Sequence, residues 1–451
     1  MHELEFTSAS FHRIAVLEAR RGRPDPGRQF SAVSSIMSKL KDVRIERQIA
    51  CGGLWKTDRP LANEKYASFR QRIFDLQQDK RRALEHALEG LSAELSSELA
   101  KGQFSWGLKL GPKLKTRQTY IVSGDAKVYF TRKQLELNLK NTHGIKAPNR
   151  HQLVAQFRDS LEGQLPAHVI RTDIAEFYES ICHSKLRTLL GRGGLSETSR
   201  LLIDQLLSEW FALTGRKVGL PTGVGIAAYL AEIYARSLDA RIATESQIRF
   251  FGRYVDDIVV VVASEEACIH VATVVQSVLG DAGLTENLSK REIHKPVTGK
   301  QNLLGPINFL GYSLSKTAGH VSVSLEERVF KRYESRIKLA FARWDRLSSP
   351  KSGHEGLLLD RIKFLTGNTK LVNSKGRAVT GIYFNYPAMT EMDQLSKLDK
   401  QLRNQLANSR LPKTLKTRLK AQSFVAGFTG RVFHSFSQDR LKRLVVVWRE
   451  A

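Results

Sequence analysis

Hydrophobic positions recur along this chain at two different periods. From Phe69 through Ile73, Leu76, Leu84, Leu88, Leu91, Leu95 and Leu99 they fall three and four apart in a charged background, which predicts a long helix with one packing face. Gly and Pro interrupt that pattern at 101–112, and a domain boundary is expected there. Alternation then takes over across 104–130: Leu108, Leu110 and Leu114, then Tyr120-Ile121-Val122 and Val128-Tyr129-Phe130. It predicts short strands joined by turns at Gly111-Pro112 and Gly124-Asp125. Helical spacing returns at 135–139 and 153–161. Further on, Phe330, Tyr333, Ile337, Phe341 and Trp344 form one helical stripe, and Met392, Leu395, Leu398, Leu402 and Leu406 another.

Between these helical regions lie short apolar runs that end in acids. Val169-Ile170 reads as a strand delivering Asp173 near its end, and the residues after it favour a helix start. Taken alone, Asp173 is better explained as a helix N-cap. At 249–263 two apolar runs meet at Tyr254-Val255-Asp256-Asp257, a pattern that predicts a hairpin with two carboxylates at its tip. Adjacent anions repel, and Mg²⁺ is the usual cation at the end of such a strand; a solvated Asp-Asp turn explains the four residues equally well in isolation. Between the acidic stretches, Gly219-Leu-Pro221-Thr-Gly223 is a loop that a backbone or nucleotide can approach closely, with a helix after it. It lacks the Lys-Ser/Thr that ends a phosphate-binding P-loop. After the hairpin, 271–279 reads as a helix, 283–290 as a turn into a strand, and 307–314 as a strand with a glycine interruption.

Composition adds a partner class. The chain has 451 residues, enough for two or three packed units, and 71 Lys and Arg against 45 Asp and Glu give a formal net charge of +26. The excess is spread out rather than concentrated on one amphipathic helix, which favours nucleic acid over a membrane surface. The final stretch, 399–451, is the most basic and the best candidate for gripping a phosphate backbone. Lys113, Lys115 and Arg117 would share one strand face, where they could meet a triphosphate; an ordinary exposed face explains them as well. Three scattered cysteines, Cys51, Cys182 and Cys268, support neither a disulfide framework nor a structural zinc. The start of the chain lacks a basic signal-peptide region, so an intracellular, cytoplasmic location is expected.

Five motifs in order complete the reading. Asp173-x-x-x-Phe177-Tyr178, Gly219-Leu-Pro-Thr-Gly223, Tyr254-Val-Asp-Asp257, Leu284-x-x-Asn287-x-x-Lys290 and Phe309-Leu-Gly311 resemble the successive palm motifs of reverse transcriptases. Asn149-Arg150 and the wording around Asp173 look like the bacterial defence-associated type, of the abortive-infection and unknown groups. The resemblance implies an α+β right-hand polymerase: a helical N-terminal extension over 1–103, fingers and palm over 104–325, and a basic helical thumb-like domain over 326–451.

It also implies roles. Asp173, with Ile174 beside it, and Asp256 and Asp257 would hold two Mg²⁺ ions, for which Mn²⁺ can substitute. Such a pair activates a primer 3′-hydroxyl and stabilises leaving pyrophosphate. Lys290 matches the motif lysine proposed to protonate pyrophosphate, although an exposed lysine near polyphosphate could equally supply charge alone. Phe177 and Tyr178 would contact the incoming nucleotide, Tyr178 as the aromatic gate that excludes a ribose 2′-hydroxyl. Gly219, Pro221 and Gly223 would shape the pocket under the nascent base pair, and Lys113, Lys115, Arg117 or Arg150 would meet the triphosphate. The implied partners are a noncoding RNA, a DNA product, dNTPs, and a companion reverse transcriptase or second copy, without a membrane. Two readings compete: a catalytically silent nucleic-acid-binding scaffold, and an RNA polymerase. The Gln that often precedes the motif-B glycine is replaced by Lys217-Val218.

Overall fold

The computed structural model describes residues 5–21, 25–114, 117–146, 149–297, 300–346, 352–371 and 378–448. By its internal contacts the chain divides into two compact units, Met1–Lys146 with Tyr178–Ala235, and Ala147–Phe177 with Arg236–Ala451.

In the first unit the long apolar stripe is one helix, Arg59–Ala100, started by the Asp58 carboxylate accepting the Leu61 N–H at 3.1 Å and by Pro60 in its first turn. Only the C-terminal part of the stripe is core: Leu88, Leu91 and Leu95 are buried, whereas Phe69, Ile73, Leu76 and Leu84 are half-buried. Helix Ser31–Gly52 packs along it. Strands β1 (Lys109–Leu110) and β2 (Tyr120–Ile121) pair antiparallel, as the alternation predicts. Val128-Tyr129-Phe130, expected as a strand, instead lies in helix Ala126–Thr142. Asp125 decides this: its carboxylate accepts the Val128 N–H at 2.8 Å, and a capped helix overrides the weak β preference of three residues. Helix Glu197–Thr214 is capped by Ser196 and closed by Gly215 in the left-handed conformation at φ 70°.

The second unit is built on an antiparallel sheet of order β4 (Ile248–Tyr254), β5 (Asp257–Val262), β3 (His168–Ala175), β6 (Thr285–Glu286), with β7 (Glu292–His294) also pairing β3. Residues 258–262 of β5 are all buried, which suits an uninterrupted Ile-Val run at the centre of a sheet. A second sheet of order β11, β10, β9, β8 follows, formed by β8 (Pro296–Val297), β9 (Lys300–Phe309), β10 (Tyr312–Thr317) and β11 (His320–Leu325). The expected interrupted strand at 307–314 is thus two strands, reversed at Leu310 and Gly311, both at positive φ. Helices Glu327–Asp345 and Asp393–Asn408 bury most of their predicted stripes, Tyr333, Ile337, Phe341 and Trp344 on one and Leu395, Leu398, Leu402 and Leu406 on the other, while Phe330 is half-buried and Met392, also half-buried, stands just before its helix. They share a core with β5, β9, β10 and β11. Among the described residues no helix is long and apolar enough to cross a membrane.

Candidate active site

The pairing of β3 with β5 sets Asp173 directly opposite Asp257. Side chains of directly paired residues stand on one face, their Cβ atoms about 5 Å apart. Asp256 lies in the turn between β4 and β5, and its carbonyl accepts the Ile174 N–H at 3.0 Å, which ties that turn to the end of β3. Three carboxylates from two distant parts of the sequence therefore gather at one end of the sheet. Asp173 is only 7% exposed, and Asp256 and Asp257 are half-buried. Burial pushes the Asp257 carboxyl above its ordinary range; Arg171 pulls it down, Asp256 and Asp173 push it further up, and Lys290 pulls it down.

Cations of the same unit answer this charge. Lys290 Nζ sits 2.8 Å from Asp173 Oδ2, and Arg171 reaches Asp257 at 3.7 Å and Glu292 at 3.3 Å. The Asn287 N–H donates to the Asp173 carbonyl at 2.8 Å, and its Nδ2 to Oδ2 at 3.4 Å. Buried Glu286 anchors this segment, accepting the Thr172 hydroxyl at 2.6 Å and the Arg291 guanidinium.

The turn itself is strained. Val255, a β-branched residue, adopts φ 61°. Arg253, its side chain 4% exposed, holds it: Nη1 donates to the Val255 carbonyl at 3.0 Å, while Nε and Nη2 fork onto Asp239 at 2.7 and 2.8 Å.

The donor set fits divalent metal. All the side-chain donors are hard carboxylate oxygens, and Ile174 has only its carbonyl to offer. Among the described residues no three His, Cys, Asp or Glu stand together as a ready metal cage. Asp173 and Asp257 are turned to Lys290 and Arg171 instead, so metal binding requires those ion pairs to give way.

The remaining predicted residues fall in two places. In the first unit, the Gly219 N–H donates to Ile181 O, and the Leu220 N–H to Tyr178 O, each at 2.8 Å, so the glycine loop and the Tyr178 segment form one piece. His183 Nε2 donates to the Gly219 carbonyl at 2.7 Å. Gly219 sits at φ 96°, where a Cβ would come within 3.0 Å of both Glu179 O and Trp210 Cζ2, so glycine is required. Gly223 is at φ 105°, and Pro221 is buried. Lys113 and Arg117 are exposed, but the chain reverses between them, Leu114 and Arg117 bonding to each other through their backbones. They stand on opposite limbs of a turn rather than along one strand face; Lys115 lies outside the described residues.

In the second unit, Phe177 is buried. Arg150 donates to the Asn385 carbonyl and lies over the rings of Tyr312 and Tyr386. Arg171, Asp239, Arg253 and Glu286 escaped the sequence reading. Arg171 alone left a signal, sharing a strand face with Asp173 two residues away.

Residues 109–314 match the family described as "Reverse transcriptase (RNA-dependent DNA polymerase)". That stretch is a reverse transcriptase domain, with the fingers and palm of that fold. The enzyme class it defines is RNA-directed DNA polymerase. No curated protein matches the chain. Similar solved structures include telomerase from Candida albicans with a TWJ fragment of telomeric RNA, at 13% identity and a TM-score of 0.40, covering 78% of this chain and 76% of that one. Apo telomerase from Candida tropicalis is similar at 12% identity and a TM-score of 0.40, covering 95% of this chain and 85% of that one.

Proposed function

We propose that this protein extends a nucleic-acid 3′-hydroxyl with deoxynucleotides by a two-Mg²⁺ reaction, within a bacterial antiviral defence system, and that untemplated or protein-primed synthesis is within its range. The observation that carries the chemical reading is the β3–β5 register, with Asp173 paired to Asp257 and Asp256 tied to Ile174. The defence reading rests on the likeness of the Asp173 segment and of Asn149-Arg150. In this reading 1–103 is a helical extension, 104–325 fingers and palm, and 326–451 a thumb-like grip on RNA and DNA.

When bound, Mg²⁺ would supply Lewis acidity to the primer hydroxyl and to leaving pyrophosphate. Asp173, Asp256, Asp257 and the Ile174 carbonyl would hold it. Lys290, released from Asp173, would carry positive charge or a proton to the polyphosphate. Tyr178 would exclude the ribose 2′-hydroxyl, and Gly219, Pro221 and Gly223 would leave room beneath the new base pair.

The test is to incubate purified protein with Mg²⁺ and single labelled dNTPs or rNTPs, with and without co-purified RNA, and to sequence any product. Wild type should incorporate dNTPs, the Asp256→Asn/Asp257→Asn variant should not, and Tyr178→Ala should admit rNTPs. Identical behaviour of wild type and the double variant in this assay and in phage challenge would leave a scaffold as the better reading.

A further inference from the structure

A second cationic centre lies in the C-terminal half, apart from the acidic site. Helix Ser352–Thr366 carries Arg361, a residue 6% exposed. Buried arginines are ordinarily paired, because an unmatched interior charge loses its hydration without return. Arg361 is not: its Nε is buried without a hydrogen-bond partner, and among the described residues no carboxylate forms an ion pair with it. The charges that act on it most are of its own sign. Arg343 comes from helix Glu327–Asp345, and Arg440 and Arg443 from helix Gln438–Val445. Of these, Arg440 is satisfied by Asp360 at 2.7 Å. Burial first, and then repulsion from the three arginines, pulls the Arg361 guanidinium down to about 10, far below an ordinary arginine.

The arrangement also has space. Arg361, Arg343 and Arg443 line a pocket of about 270 Å³, walled by Trp344, Leu358 and Val447. That volume suits one small polar group, not a duplex. An unpaired, buried guanidinium lining a small concavity with further guanidiniums beside it has the charge and donor geometry for an oxyanion, since arginine forks match phosphate oxygens in pairs.

We propose that this pocket binds a single phosphate group, with Arg361 as its buried donor and Arg343 and Arg443 closing over it. Two sources share that chemistry, the terminal phosphate of a nucleic-acid strand and free phosphate. The site is independent of the polymerase reading and would stand if that reading failed.

The test uses the full-length protein and Arg361→Met, which keeps the side-chain length and removes the charge. Thermal melting is followed in inorganic phosphate against chloride at equal ionic strength. Binding is measured for short single strands that differ only in a 5′-phosphate or a 5′-hydroxyl. Wild type should melt higher in phosphate, and Arg361→Met should melt higher than wild type in chloride yet lose the phosphate response. Arg443→Gln should weaken that response, whereas Lys65→Gln/Arg70→Gln, changed at exposed positions of helix Arg59–Ala100 in the other unit, should keep it. If the 5′-phosphorylated strand binds wild type at least tenfold tighter than its 5′-hydroxyl twin, and Arg361→Met equally to both, the source is a strand end. If only inorganic phosphate discriminates wild type from Arg361→Met, the source is free phosphate. Should Arg361→Met keep the full phosphate response and the same preference for the phosphorylated strand, the pocket is not a phosphate site.

Discussion

The residue whose loss should be most informative is not a carboxylate. Val255 holds φ 61°, a conformation that costs a β-branched residue on the order of 1–3 kcal/mol, and Arg253 fixes it by bonding the Val255 carbonyl while forked onto Asp239. Asp256 and Asp257 follow directly in the chain, so slack in this turn moves both. Arg253→Lys keeps the charge but has no fork that can serve Asp239 and Val255 together. On the polymerase reading its incorporation rate should fall on the order of ten- to a hundredfold, the usual cost of displacing reacting groups by about an ångström, with the dNTP KM little changed. Asp239→Glu, which preserves the carboxylate, should recover most of the rate. Single-turnover kinetics checks this; a variant defective only in KM would show that Arg253 supports nucleotide binding rather than the turn.

At the scale of elements, the glycine loop and the segment it bonds to carry two predictions. Gly219→Ala forces a Cβ to 3.0 Å from Glu179 O and Trp210 Cζ2 at φ 96°, and should destabilise the protein by about 1–3 kcal/mol in denaturant unfolding. His183, held on the Gly219 carbonyl, has its pKa lowered from 6.5, chiefly by burial. A base with a lowered folded pKa binds fewer protons folded than unfolded, so its stabilising contribution is complete above pH 6.5 and is lost as pH falls through the folded value. Melting temperature should drop from pH 7 to pH 5, and His183→Gln, which keeps a donor for the carbonyl, should flatten that drop. Part of the slope will remain, because His151 and His434 are lowered as well.

These elements also show what the sequence makes legible. The hairpin at 254–257 is local, an apolar run broken by turn residues, and its form follows from neighbours in the chain. The pairing of β3 with β5 became readable only through the order of five motifs. What stayed hidden is tertiary: Arg253 and Asp239 come from a strand and a helix, and nothing in their spacing joins them. The misreadings have the same origin. One capping carboxylate, Asp125, turned a strand pattern into a helix, and a reversal between Leu114 and Arg117 separated cations that alternation had aligned.

For the whole molecule the governing quantity is charge. A net +26 makes polyanion binding largely a matter of counterion release, so affinity for single strands should fall with salt, with a slope of log K against log salt of about 0.7 per phosphate neutralised. The C-terminal helix Lys413–Lys420 presents Lys413, Arg418 and Lys420, all exposed and, among the described residues, in no ion pair with a carboxylate. Neutralising them together in Lys413→Gln/Arg418→Gln/Lys420→Gln should reduce the slope by about 2 if each meets one phosphate. Leu415 and Leu419 keep that helix packed, so its folding should be unaffected. Binding titrations with an unstructured RNA between 50 and 300 mM salt check this. An unchanged slope would move the nucleic-acid track off this helix, whereas a reduced slope with an unaltered rate on saturating RNA would assign the helix to grip rather than to chemistry.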